Sequence, residues 1–301
     1  MQSSRYMDER VVQYYTAAID ALCEIAHVYF FLGRFSDALR LLRASLDMTE
    51  SGEVTQKDRL KLLLLYERVL IVEHLVYRGE PDLMLATSLK VKQMAEEMGE
   101  QQSIAEALNL LGQARTTAAT IAIVKSGGLP FGTQGQGKYE EALTYLQQAL
   151  ALQEELHDSR GISESLFGIG LIYQFWQQND LAREHFTKAI QVAEQHGYEL
   201  EQAEPDRHLT MDALFRGDLD QALVHAQRAL SFREAGGFKP YQPLDHLLLR
   251  DVYQAKGDME KAQLHKQRAI ALAEEMGTAD LVSTMLSVNE RIETSQNSSS
   301  R

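Results

Sequence analysis

Small and apolar residues return along the C-terminal half of the chain at helical spacing, and the whole pattern repeats every 40 residues. Ala182, Ala222 and Ala262 form one column, and Ala189, Ala229 and Ala269 a second. His185, His225 and His265 form a third, and Gly197, Gly237 and Gly277 a fourth. Columns that share one period predict stacked copies of one structural unit. In the last unit the pattern predicts a first helix over 244–256, a turn at Gly257 and Asp258, and a second helix from Met259 to about Met276, closed by Gly277. Glycine accepts the left-handed backbone that a helix end needs. Ala262 and Ala269 share one helix face, where small side chains let paired helices approach closely. No segment alternates apolar and polar residues as a half-buried strand does, so no sheet is expected.

The same grammar runs upstream. Gly33, Phe35 and Ala38, then Gly137, Tyr139 and Ala142, match Gly217, Leu219 and Ala222 in spacing. The string glycine-x-aromatic/Leu-x-x-Ala resembles the tetratricopeptide repeat. So do Ile25-Ala26 with Tyr29, Leu111-Gly112, Ile169-Gly170 with Tyr173, and Leu249 with Tyr253, which match that family's Leu-Gly-x-x-Tyr element. The resemblance covers residues 10–277 as six pairs and departs at the second, where Gly79, Pro81 and Met84 stand, and at the fifth, where Ala213 replaces the tyrosine. It implies an all-α fold, a right-handed α-solenoid of about six helix pairs. Residues 1–9 are expected to be a flexible N-terminus. Leu281, Met285, Val288 and Ile292 predict a capping helix over 278–294, and 295–301 a disordered tail without apolar residues. The long period and the Ala-Glu-x-x-Gly ends at Gly99, Gly197 and Gly277 resemble the sensor arrays of bacterial regulators and kinesin light chain.

One insertion breaks the rhythm. The third pair's first helix is expected from Ser103 to Val124, followed by a glycine-rich stretch over 126–137 and a new helix at Lys138. Insertions in such arrays fall on one face, often the binding face. Two readings stand: a passive surface loop, or a flap with Leu129, Pro130 and Phe131 at its tip.

Composition narrows the functions. The formal net charge of -13 gives no electrostatic footing for nucleic acid. Cys23 is the only cysteine, so no intramolecular disulfide can form, which fits a reducing compartment. The N-terminal residues are polar, unlike a signal peptide, and the apolar stretch 60–77 carries too many charges for a membrane span. A cytoplasmic protein is expected.

No catalytic set emerges, and an enzyme is not expected. Residues 132–138 fit Gly-x4-Gly-Lys, but Tyr139 stands where a phosphate-binding loop needs Ser or Thr, and no strand precedes it. The column of histidines sits on helices ~10 Å apart, too far to share one metal ion. His208 and Asp212, four apart on a helix, form too common a pair to mark a site. No cofactor or metal is expected.

In tetratricopeptide arrays the first helix of each pair lines a concave groove, and the resemblance implies groove residues here. They are His27 and Phe30, Glu73 and Tyr77, Asn109 and Gln113, Phe167 and Gln174, Arg207 and Met211, and Asp251. Asn109 and Gln113 would suit an extended peptide backbone, and Arg207 a carboxylate. Phe30, Tyr77 and Phe167 would fill pockets with partner side chains. The expected function is a protein- or peptide-binding scaffold. The alternative is a small-molecule sensor with 118–136 as a lid. Self-association is possible through the groove or the terminal helix.

Overall fold

The computed structural model describes residues 9–51, 54–77, 81–128, 131–132, 137–280 and 282–283. Among them the chain forms twelve α-helices and no strand. In order these are α1 (Glu9–Phe31), α2 (Phe35–Met48), α3 (Gln56–Tyr77), α4 (Pro81–Met98), α5 (Gln101–Lys125) and α6 (Glu140–Glu155). They continue as α7 (Ser159–Phe175), α8 (Asn179–His196), α9 (Glu199–Arg216), α10 (Leu219–Ala235), α11 (Gln242–Ala255) and α12 (Met259–Met276).

Each helix packs on the next, giving six pairs, and the odd-numbered helices also touch one another: α1 with α3, α3 with α5, α5 with α7, α7 with α9 and α9 with α11. This is the all-α repeat solenoid that the period predicts. The repeat columns explain the close approach. Ala182, Ala189, Ala222, Ala229, Ala262 and Ala269 are all buried between helices. Punctuation is local. Asp218 and Asp258 accept the backbone N–H of Gln221 and Lys261, capping α10 and α12. Gly197, Gly217 and Gly277 end α8, α9 and α12 with φ of 72°, 75° and 71°, a conformation that glycine adopts without a Cβ penalty.

Helix α3 carries charged residues in its first turns and apolar residues around most of its middle, which marks a segment enclosed by neighbours. Leu60, Leu62, Leu65, Val69 and Leu70 are all buried, because α1, α2, α4 and α5 surround it.

The array also closes on itself. The Phe238 ring, in the loop between α10 and α11, lies 5.5 Å from that of Phe30 and 5.3 Å from that of Phe31, both edge-on. The Lys239 N–H donates to the Phe31 carbonyl at 2.9 Å. Gly33, with φ of 74°, lies against Met276, and a Cβ there would sit 2.6 Å from the Met276 sulfur. Phe238 and Leu244 thus join the core of the first two pairs.

The boundaries differ from expectation in small ways. Helix α5 starts at Gln101 and α11 at Gln242, while α6 starts at Glu140 with Tyr139 as its N-cap. Residues 1–8, the tail 295–301 and most of the expected capping helix over 278–294 lie outside the described residues. Of that helix, Val282 is described and packs on Leu247, Ala269 and Ala273.

Candidate functional site

The contacts between odd-numbered helices define an inner face, and two charged clusters lie on it. In the first, Arg68 of α3 reaches Glu106 of α5 and Glu164 of α7, each at 3.3 Å. The Asn109 amide donates to the second Glu164 oxygen at 3.0 Å. Glu164, then Glu106, hold the Arg68 guanidinium protonated beyond its ordinary range. The Arg68 side chain still keeps 30% of its exposure, so this face is wet and not core.

The second cluster stands on α9, α10 and α11. Arg207 donates to Glu204 through Nε at 3.1 Å and Nη2 at 2.8 Å. Arg233 pairs with the other Glu204 oxygen and lies 2.7 Å from Asp245 through Nε. Burial works against the Glu204 carboxylate, yet Arg207 and Arg233 outweigh it and hold its pKa down to about 2. Burial pushes Asp245 up to about 6 despite Arg233. Burial, then the neighbouring Arg207, brings His208 down to about 3, so its ring is neutral at pH 7. Tyr241 closes the cluster, 5.0 Å under the Arg233 guanidinium.

Seven residues beyond a helix position is the same face again, since two turns nearly close the circle. Glu106 therefore leads to Gln113, Glu164 to Leu171 and Glu204 to Met211. All three are half-buried, and Gln113 has no hydrogen-bond partner among the described residues. They form a strip along α5, α7 and α9 beside the charged clusters.

The sequence-derived candidates divide on this geometry. Gln113 and Met211 lie on the strip, and Phe167 is half-buried beside it, with its ring 5.4 Å from that of His208. His27 is half-buried on α1, and burial, then Arg68 and Lys61 among its neighbours, lowers its pKa against the pull of Glu24. The other polar candidates are occupied. Asn109 is buried between Glu164 and the Ser165 hydroxyl. Gln174 is buried, its amide donating to the His208 carbonyl at 3.4 Å. The Arg207 fork is filled by Glu204. Asp251 pairs with Arg250 at 2.6 Å. Glu73 lies near His74 and Arg43, and burial raises its pKa. Phe30 is a core residue packed on Phe35 and Phe238, not a groove aromatic, because the array closes over it. The Tyr77 side chain lies outside the described residues.

Sequence reasoning missed Arg68, Glu106, Glu164, Glu204, Arg233 and Asp245. The one available signal was Glu67-Arg68 between the apolar runs 62–66 and 69–72, where charge needs a partner. The repeated histidines are half-buried packing residues. His225 meets Asp206 at 2.7 Å, His265 meets His246 at 3.0 Å, and His185 lies against Tyr173. Asp212 is held by Arg183 and Arg216, each at 2.9 Å. Among the described residues no three His, Cys, Asp or Glu side chains converge as a metal set. None of the described helices is long and apolar enough to cross a membrane.

The glycine-rich insertion has a described part. Residues 118–125 are the end of α5, and the Phe131 ring lies 5.7 Å from that of Phe175. Both pack on the seam of α5, α6 and α7. Leu129, Pro130 and 133–136 lie outside the described residues.

Comparison with known proteins gives matches to two models described as tetratricopeptide repeat, over residues 133–195 and 19–51. No curated protein matches the chain significantly. Among solved structures, it is similar to the Rap conjugation gene regulator of the plasmid pLS20 in complex with the Phr* peptide, at TM-score 0.62 and 16% identity over 87% of this chain. It is similar to a Rap protein complexed with competence and sporulation factor at TM-score 0.63 and 16% identity, again over 87% of this chain. BtubC from P. vanneervenii is similar at TM-score 0.52 and 15% identity, over 82% of this chain and 91% of that one. The chain spans 64% and 65% of the length of the two Rap structures.

Proposed function

We propose that this chain, a tetratricopeptide-repeat protein, holds a segment of another protein or a peptide against the inner face of its odd-numbered helices. One observation carries the reading: Gln113, Leu171 and Met211 form a half-buried strip beside two charged clusters, and Gln113 has unspent donors and acceptors there. A strip of this kind offers apolar contact to partner side chains and an amide to a partner backbone. One of the similar structures holds the Phr* peptide and another a competence and sporulation factor, which supports the reading by likeness of fold. Folds carry many functions, so the site residues bear the argument. Asn109, Gln174 and Arg207 act in this reading as the frame that sets the odd helices in register, and do not themselves touch the partner.

Selection of peptides from a random library against the full chain tests it. Gln113→Arg and Met211→Arg crowd the strip without touching the helix seams. Each is expected to lower capture of the selected peptides at least tenfold with the helical circular dichroism unchanged. Undiminished capture by both variants contradicts the assignment.

A further inference from the structure

Closure of the array at Phe238 restricts what the inner face admits. Phe30 and Phe31 of the first pair pack on the Phe238 ring, and Leu200, Tyr241 and Leu244 join the same core. Phe238 is buried there. The loop that carries it is tied from behind. The Phe238 N–H donates to the Arg233 carbonyl at 3.0 Å, and the Gln242 amide donates to the Phe238 carbonyl at 3.3 Å. Lys239 pairs with Glu275 of α12 at 2.8 Å. These ties make a fixed clasp, not a hinged flap.

The curvature of the inner face is tight. Arg68 of α3 touches Glu164 of α7, past the intervening α5. In a straight stack of ~10 Å steps those helices would stand ~20 Å apart, well beyond the ~10–12 Å at which two helices with their side chains meet. Six first helices at ~10 Å steps around one closed turn leave a passage of only ~8 Å between their side-chain shells. One extended chain fits that width, and an α-helix, ~10–12 Å across, does not.

We propose that the clasp makes the array a closed eyelet, which takes its partner only as an unfolded segment threaded in by a free end. The proposal rests on the inner-face reading of function and adds the class of partner. That partner is a flexible chain terminus, not a folded domain and not a loop held between two folded domains. Release follows the same rule: a threaded segment leaves by its end and not sideways.

Capture by the full chain of one sequence, selected from the random library and set midway in a long Gly/Ser linker, tests the proposal. One form of the linker has free ends. The other carries a folded domain at each end, with a protease site beside one of them. Capture of the doubly blocked form is expected to be at least tenfold weaker, and cleavage at the protease site is expected to restore it. Equal capture of both forms overturns the threading. Gln113→Arg separates the two readings. If it leaves capture of the free-ended form unchanged, the inner-face reading fails and the threading with it. If it weakens that capture while both forms bind the parent equally, the threading alone fails.

The clasp is tested in the same assay. The hydrogen bond from Lys239 N–H to the Phe31 carbonyl sets Leu32 and Lys239 side by side, and neither is buried. Leu32→Cys combined with Lys239→Cys is expected to be joined by a short bismaleimide linker, while Cys23 is buried away from the reagent. The locked chain is expected to capture the free-ended form as well as the unlocked one does. Failure of the two cysteines to join overturns the clasp. A tenfold loss of capture on locking overturns the threading, because the partner then enters through an opened array.

Discussion

Arg233→Met is expected to lower the unfolding free energy by ~3–5 kcal/mol, the range found when one partner of a buried ion pair is removed. The Arg233 side chain is 2% exposed and faces two carboxylates, Glu204 and Asp245. Glu204 retains Arg207 after the substitution, but Asp245 is fully buried and loses the cation 2.7 Å from it. Its pKa is already pushed up to about 6 by burial, and without Arg233 the carboxyl goes further into its neutral form. Part of the cost therefore returns as proton uptake. The double variant Arg233→Met with Asp245→Leu is expected to recover most of the loss, because it removes both charges together. Urea unfolding followed by circular dichroism checks this. A loss below ~1 kcal/mol in the single variant, within the ordinary range of surface changes, would mean the cluster does not hold α9, α10 and α11 together.

The second large effect belongs to Glu67. It is fully buried on α3, and neither carboxyl oxygen has a hydrogen-bond partner. The Ser88 hydroxyl on α4 donates instead to the Met84 carbonyl at 3.0 Å. Burial pushes Glu67 up to about 8 from an ordinary 4.5. Between those values the folded chain holds a proton that the unfolded chain has released. Stability therefore falls as pH rises from 4.5 through 8, and the penalty is complete above the folded value. Glu67→Gln has no proton to lose. Its stability relative to the parent is expected to grow by on the order of 4 kcal/mol between pH 4.5 and 8. Parallel stability curves for the two proteins over that range would contradict the burial of an unpaired carboxyl.

The fold was largely legible because its signals are local and repeated. The alanine columns, the turn glycines and the capping aspartates at Asp218 and Asp258 are read within one unit and recur in the next. The inner face was less legible, for a physical reason. Each first helix packs on neighbours at both sides, so only a narrow strip faces inward. Assigning groove positions helix by helix placed Gln113 and Met211 on that strip but also took in Asn109 and Gln174, which sit in the seams. The long-range contacts left no sequence trace. Arg68 and Glu164 are 96 positions apart, and nothing in either neighbourhood names the other. Closure of the array through Phe238 and Phe30 was equally invisible, so Phe30 read as a groove aromatic when it is a core residue.

The proposed binding falls on that strip, and a photo-reactive residue can report on it. Benzoylphenylalanine replacing Gln113 is expected to cross-link a captured peptide, while the same residue at Met259, 61% exposed on the second helix of the last pair, is expected to stay unlinked. Cross-linking at position 259 with none at 113 would place the partner on the outer face and contradict the account.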